Sequence, residues 1–217
     1  MHTFANETAV DIPGPLGNLE GLLALPKQNK IQKIGVICHP HPLHGGTMHN
    51  KVVTTVSRVF SELGIVNARF NFRGVGKSAG HYGDTIGEAE DLTAVIKWLL
   101  NSYPQHSIWL AGFSFGSYIS AYIAAQYPVE LLVSIAPPVN HFDFTSLKKI
   151  KCPWIVVQGD TDEIVPSQEV YAWIDSVKHP IQLIRMPTTG HFFHGHLTEL
   201  RHQLTSSLNN YAHHYDN

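Results

Sequence analysis

The chain is poor in cysteine, in charge and in long apolar runs. Only two cysteines, Cys38 and Cys152, occur in 217 residues. That is too few for a disulfide framework, and each adjoins a segment that reads as a buried strand, so both are expected to be reduced core thiols. No stretch approaches the ~20 consecutive apolar residues that a membrane-spanning helix needs. The segment from Met1 to Glu7 lacks a basic run followed by an apolar core, so no secretory signal is visible. Charged residues make up 15% of the sequence and the formal net charge is -2. This leaves no basic footprint for nucleic acid or for an anionic membrane surface. Together the absences predict a cytoplasmic protein without a membrane span or a nucleic-acid partner.

What is present is a globular balance, with 43% hydrophobic residues, in a chain long enough to bury a substantial core. No internal repeat, low-complexity tract or linker interrupts it, so one domain over residues 1–217 is expected. Ala9–Ile12 and Leu19–Leu25, separated by the turn signal Pro13–Asn18, read as an antiparallel pair. Six short apolar runs follow, at Ile34–Cys38, Ile65–Phe70, Ile108–Ala111, Leu131–Ala136, Trp154–Gln158 and Ile181–Met186. Such runs suit strands covered on both faces. Between them, apolar residues recur at threes and fours: Val52, Val56, Val59, Phe60 and Leu63; Leu92, Val95, Ile96 and Leu99; Val170, Trp173 and Ile174. Leu197–Leu208 reads as a closing helix and Tyr211–Asn217 as a frayed polar tail. The alternation predicts an α/β fold with a mostly parallel sheet, helices on both faces and N-terminal antiparallel strands.

The stretch Gly112-Phe113-Ser114-Phe115-Gly116 places G-x-S-x-G after an expected strand and before a helix. The pattern alone is weak, but a nucleophile elbow requires this strand-to-helix setting and very small flanking residues. A serine hydroxyl needs a base, and the base an orienting acid, in the order Ser, Asp or Glu, His. Downstream, Gly159-Asp160-Thr161-Asp162 follows one expected strand, and Gly190-His191-Phe192-Phe193-His194-Gly195-His196 follows another. Spacing does not choose between Asp160 and Asp162, nor among His191, His194 and His196.

A second cluster, His39-Pro40-His41-Pro42-Leu43-His44-Gly45-Gly46, suggests a metal site at first sight. Alternating prolines, however, extend the backbone and separate successive side chains, and no nearby Cys, Asp or Glu adds a ligand. No metal and no cofactor is expected.

The stretches C-H-P-H-P-L-H-G-G-T-M at 38–48, R-F-N-F-R-G-V-G-K-S at 69–78, A-G-F-S-F-G-S-Y at 111–118, A-P-P-V at 136–139, Q-G-D-T-D-E-I-V-P at 158–166 and G-H-F-F-H-G at 190–195 resemble the α/β-hydrolase superfamily. More narrowly they resemble a group of small bacterial hydrolases related to dienelactone hydrolases and predicted esterases. The resemblance implies Ser114 as nucleophile, Asp162 as the acid in G-x-x-D-x-x-V and His191 as the base directly after a glycine. It implies ester hydrolysis through an acyl-enzyme on a small-molecule ester, and an open apolar site suits short-chain acyl esters or thioesters. Acyl transfer, dienelactone-type hydrolysis and a non-catalytic binding role are the rivals on the same scaffold.

The oxyanion donors are expected to be the backbone N–H groups of Phe115 and His41. Pro40 and Pro42 carry none, and Leu43 is the second choice. Only Pro137–Pro153 bridge two strands where superfamily members insert a cap, so no cap domain is expected. The open pocket is expected to draw on Phe113, Phe115, Pro138, Phe142, Phe144, Phe192 and Phe193, about half of them plain core. Phe113, Phe142 and Phe192 are the substrate-contact candidates. Arg73 is read either as a contact for an acidic substrate or as a structural arginine bonding carbonyls or Glu88. The oligomeric state stays open, a homodimer included.

Overall fold

Eight strands form one sheet in the computed structural model, which describes residues 6–27, 31–147 and 150–212. β1 (Asn6–Gly14) and β2 (Gly17–Leu25) make an antiparallel hairpin that closes with Gly14 opposite Gly17. Then come β3 (Lys33–Cys38), α1 (Lys51–Glu62), β4 (Val66–Phe70), α2 (Ile86–Ser102), β5 (Ser107–Phe113), α3 (Phe115–Ala124) and β6 (Leu131–Ile135). β7 (Trp154–Gly159), α4 (Ser167–Ser176), β8 (Ile181–Met186) and α5 (Leu197–Ala212) complete the chain. The sheet order is β1-β2-β4-β3-β5-β6-β7-β8, antiparallel as far as the β2–β4 pair and parallel from β4 to β8.

Successive side chains of a strand point to opposite faces, and the core divides accordingly. Ile34, Val36, Leu110, Leu132 and Val156 pack against Leu92, Val95, Ile96, Ile119, Val170 and Trp173 of α2, α3 and α4. Ile37, Trp109, Val133, Ile155 and Val157 pack on the opposite face against Val52, Val56, Phe60, Leu200, Leu204 and Leu208 of α1 and α5. Each such side chain, fully buried, contributes roughly 1.5–3 kcal/mol. The five strands β3 to β7 are therefore the apolar runs of the sequence.

Two elements depart from expectation. β8 has a neighbour on one side only, and Gln182 and Arg185 stay exposed rather than covered. The last helix continues past Leu208 to Ala212, because Ala212 is buried against the sheet side and Tyr211 packs beside it. Residues 211 and 212 are thus helix, and the rest of the expected tail, 213–217, lies outside the described residues.

All the parallel strands end on one edge, where open α/β sheets present their ligand sites. Between β6 and β7 the described residues add only a 3-10 turn at Phe144–Ser146, so no cap domain covers that edge. Among the described residues no helix is long and apolar enough to cross a membrane.

His39, directly after β3, straps two of these edge loops together. Its Nδ1 lies 2.6 Å from the Pro40 carbonyl oxygen, and the Phe72 N–H donates to its Nε2 at 3.0 Å. Only a neutral ring protonated on Nδ1 satisfies both contacts. Burial, with His41 adding to it and the Pro40 carbonyl opposing, pushes this imidazole down to about 4. An unfolded histidine takes its proton near ~6.5. Between those two values the unfolded chain binds more protons, so stability rises with pH there and is lost on acidification. The gap is worth about 3 kcal/mol. Urea titrations should show a drop of that size between pH 7 and pH 4 in the native protein, and a clearly smaller one in His39→Leu.

Candidate active site

Ser114 caps the junction between β5 and α3 with φ of 52° and ψ of -121°. A non-glycine residue in that region costs roughly 1–3 kcal/mol and persists only where its surroundings over-determine it. Here they do. The Ser114 N–H donates to the Ile135 carbonyl at 2.8 Å, and its own carbonyl accepts from Ser117 N–H at 2.8 Å and Ser117 Oγ at 2.6 Å. The flanking glycines let the backbone close up. A Cβ on Gly112 would stand 2.1 Å from the Gly116 carbonyl oxygen, and one on Gly116 would stand 2.4 Å from that of Cys38.

The loops after β7 and β8 meet across this elbow. His191 Nε2 lies 3.1 Å from Ser114 Oγ, and His191 Nδ1 lies 2.8 Å from Asp162 Oδ2. Asp162 and His191 are 8% and 3% exposed, while Ser114 is half-buried, so the hydroxyl is the accessible end of the chain. Burial alone would raise the Asp162 carboxyl. The hydrogen bond from His191 and the N–H groups of Val165 and Ile164, at 2.7 and 2.9 Å, outweigh it and hold the carboxyl below its usual value. Asp162 is thus kept as an anion facing the imidazole.

The alternatives left open by spacing separate cleanly. Asp160 accepts from Tyr171 and pairs with Arg185 at 2.8 Å, which lowers its carboxyl at the protein surface. His194 is exposed beside Phe192, and His196 sits 3.2 Å from Glu199. Only Asp162, His191 and Ser114 come together.

Two contributors have little or no signal in the sequence. Gln158 Nε2 donates to Asp162 Oδ2 at 3.1 Å, and its only trace is one polar residue in a buried strand. Glu163 Oε2 accepts the His191 backbone N–H at 3.1 Å, which fixes the loop that carries the imidazole. Nothing in the sequence marks it.

The loop after β3 lies against the elbow. Phe115 opens α3, so its N–H has no intrahelical acceptor. The His41 N–H takes no acceptor among the described residues, whereas Leu43 N–H donates to His41 Nδ1 at 3.2 Å and is already partnered. The His41 carbonyl accepts from His44 and Gly46, each at 3.0 Å, which fixes the turn. His41 and His44 rings stack at 4.5 Å, while His39 has both nitrogens engaged elsewhere. Among the described residues no three His, Cys, Asp or Glu side chains gather as metal ligands.

Arg73 is the structural arginine, with a different partner from the one expected. Its guanidinium binds Asp91 through Nε at 3.0 Å and Nη2 at 2.8 Å, and reaches Glu90 at 3.1 Å. Glu88 is instead committed to the Gly83 and Thr85 N–H groups at the start of α2. Phe113 also needs correction as a substrate contact. It is 1% exposed and backs the His191 ring at 5.2 Å, so it has no face left for a ligand. Phe115, Phe144 and Phe193 are buried too, Phe142 is half-buried, and Phe192 is 41% exposed at right angles to His191.

The chain is 48% identical to an α/β serine hydrolase homologue from Coxiella burnetii, covering 96% of this chain and 99% of that one with a TM-score of 0.89. The chain belongs to the α/β serine hydrolases. It is 42% identical to an α/β serine hydrolase without a lid from Xanthomonas campestris, covering 95% of each chain with a TM-score of 0.90. An uncharacterized protein from Rickettsia prowazekii is 32% identical over 93% of this chain and 90% of its own length. The family model described as serine aminopeptidase, S33, matches residues 41–143.

In this hydrolase the elbow tolerates no added carbon. Gly112→Ala drives a Cβ into backbone rather than into a side chain that can turn aside. Urea unfolding should register a loss of about 3 kcal/mol or outright failure to fold.

Proposed function

We propose that the protein hydrolyses carboxylic esters through an acyl-enzyme on Ser114. The observation that carries this reading is the unbroken chain from Asp162 through His191 to Ser114 Oγ, at 2.8 and 3.1 Å, on the open edge of the sheet. Ser114 Oγ attacks the ester carbonyl carbon while His191 Nε2 takes its proton. The resulting imidazolium is stabilised by Asp162, which also holds the Nδ1–H tautomer. His191 then protonates the leaving alcohol, and water admitted on the same side regenerates the serine by the reverse sequence.

The backbone N–H groups of His41 and Phe115 are the oxyanion donors in this proposal. Their support is that both lack another acceptor, while Leu43 does not. Losing one such donor typically costs roughly 10²–10³ in rate. Backbone donors survive side-chain replacement, so the carbonyl stays polarised with any residue except proline at 41. Both cysteines are unpaired and buried, which suits a reducing compartment, and we place the reaction in the cytoplasm.

A fluorophosphonate probe followed by peptide mass spectrometry should locate one adduct, on Ser114, alongside hydrolysis of p-nitrophenyl acetate. No adduct there and no hydrolysis would sink the reading. Among acid-loop variants, Asp162→Asn should lower kcat by roughly 10⁴ by leaving the imidazole in the wrong tautomer. Asp160→Asn, which removes an exposed pair with Arg185, should leave kcat near native.

A further inference from the structure

The ring of Phe115, the residue directly after Ser114, is enclosed by aromatic side chains from three different loops. His41 comes from the loop after β3, with its ring centroid 4.7 Å away. Tyr82, from the loop after β4, is at 6.2 Å, and Phe142, from the loop after β6, is at 5.6 Å. Tyr118, one turn along α3 from Ser114, stacks on Phe142 at 4.7 Å. Phe115 is buried, but His41, Tyr82, Tyr118 and Phe142 are each only half-buried, so the cluster is not sealed from solvent. A plain core would have closed over those rings. Half-covered aromatic faces gathered around one point are how proteins hold a planar apolar group.

The chemistry of attack tells which part of an ester this wall meets. Four groups surround the attacked carbon: Ser114 Oγ, the oxyanion, the leaving oxygen and the acyl substituent. The leaving oxygen must face His191, which protonates it, and that side carries the exposed Phe192 at 5.1 Å from the imidazole. The oxyanion faces the amides of His41 and Phe115. The acyl substituent is left with the remaining sector, on the Phe115 side of the serine and away from His191.

Charge around the wall narrows the occupant further. Burial, together with Glu88 and Asp84, pushes the Tyr82 phenol up, and burial with Asp143 does the same to Tyr118. Glu88 and Asp84 thus act on Tyr82 and Asp143 on Tyr118, and these carboxylates oppose further negative charge at the two tyrosines. Arg73, a cation of the same loop as Tyr82, is taken up by Asp91 and Glu90 and offers a substrate carboxylate nothing.

Building on the ester-hydrolase reading, we propose that the half-buried wall of Tyr82, Tyr118 and Phe142 around Phe115 is the acyl subsite and takes a neutral aromatic acyl group. Phe192 belongs to the leaving-group side.

The test keeps one leaving group and varies the acyl group: p-nitrophenyl acetate, butyrate, benzoate and the mono-anionic glutarate. kcat/KM is measured for the native protein and for Tyr82→Ala, Phe142→Ala and Phe192→Ala. Tyr82→Leu and Phe142→Leu are added, because they keep most of the volume while removing the ring. The expected result is a benzoate-to-acetate ratio that falls about tenfold in the position 82 and 142 variants, with the glutarate ester the poorest substrate throughout. Phe192→Ala should instead alter the ratio of p-nitrophenyl acetate to ethyl acetate. An unchanged benzoate-to-acetate ratio in folded Tyr82→Leu and Phe142→Leu overturns the subsite, as does a preference for the glutarate ester. Fluorophosphonate labelling of Ser114 is followed in the same samples. Labelled protein without the ratio change defeats the acyl subsite alone, whereas no labelling and no hydrolysis defeat the ester-hydrolase reading with it.

Discussion

Backbone crowding at the β5–α3 elbow governs the rest of the molecule. The helix start presses so closely on the end of β3 that a methyl group at Gly116 would meet the Cys38 carbonyl, and one at Gly112 would meet Gly116 itself. That contact forces Ser114 into a positive φ, and three hydrogen bonds to its backbone keep it there. The same closeness brings the loop after β3 beside the first amide of α3. Widening the junction by one side chain would separate the serine, the Phe115 amide and the His41 amide together. The strain is local, but the geometry it secures involves three loops.

Electrostatics complement this mechanical constraint. A buried charge is tolerable only when paired and hydrogen-bonded. Asp162 receives Gln158, Ile164, Val165 and His191, and Arg73 is matched by Asp91. His39 is held neutral by burial, with both ring nitrogens engaged by backbone groups. With those groups committed elsewhere, none of them competes in the proton transfer proposed between Ser114 and His191. A proton relay of this kind works only if neighbouring groups do not compete for the proton.

How far the sequence anticipates this depends on the range of the interactions concerned. The strands β3 to β7 are legible because burial on both faces demands uninterrupted apolar runs. β8 is misread because an apolar run does not say whether the strand has one neighbour or two. The order serine, acid, histidine is legible. The choice of Asp162 over Asp160 is not legible in spacing, since both lie two residues apart in one polar loop, and only the resemblance to the G-x-x-D-x-x-V pattern points to Asp162. Arg73 shows the same limit: Glu88 and Asp91 are three apart on α2, and the helix start consumes Glu88, leaving Asp91 to meet the guanidinium. Phe113 was open to better reading. It shares a face with Trp109 and Ala111, which places it under the histidine loop with the α1 and α5 layer rather than in the open site.

The absence of a cap over the sheet edge bears on how water is managed. A lid expels solvent by closing, which strengthens the electrostatics of the site during reaction. In the proposed reaction, exclusion falls to aromatic surface: Tyr82, Tyr118 and Phe142 around Phe115, and Phe192 beside His191. Fixed walls desolvate only what fits between them, so a rigid, planar acyl group gains more from such a site than a flexible one. The three clustered histidines fit the same economy of parts. His39 serves as a buried strap, His41 contributes a ring to the wall and a backbone amide beside the serine, and His44 stacks on His41 to support the turn. A loop that shapes the site through its main chain needs side chains that brace it.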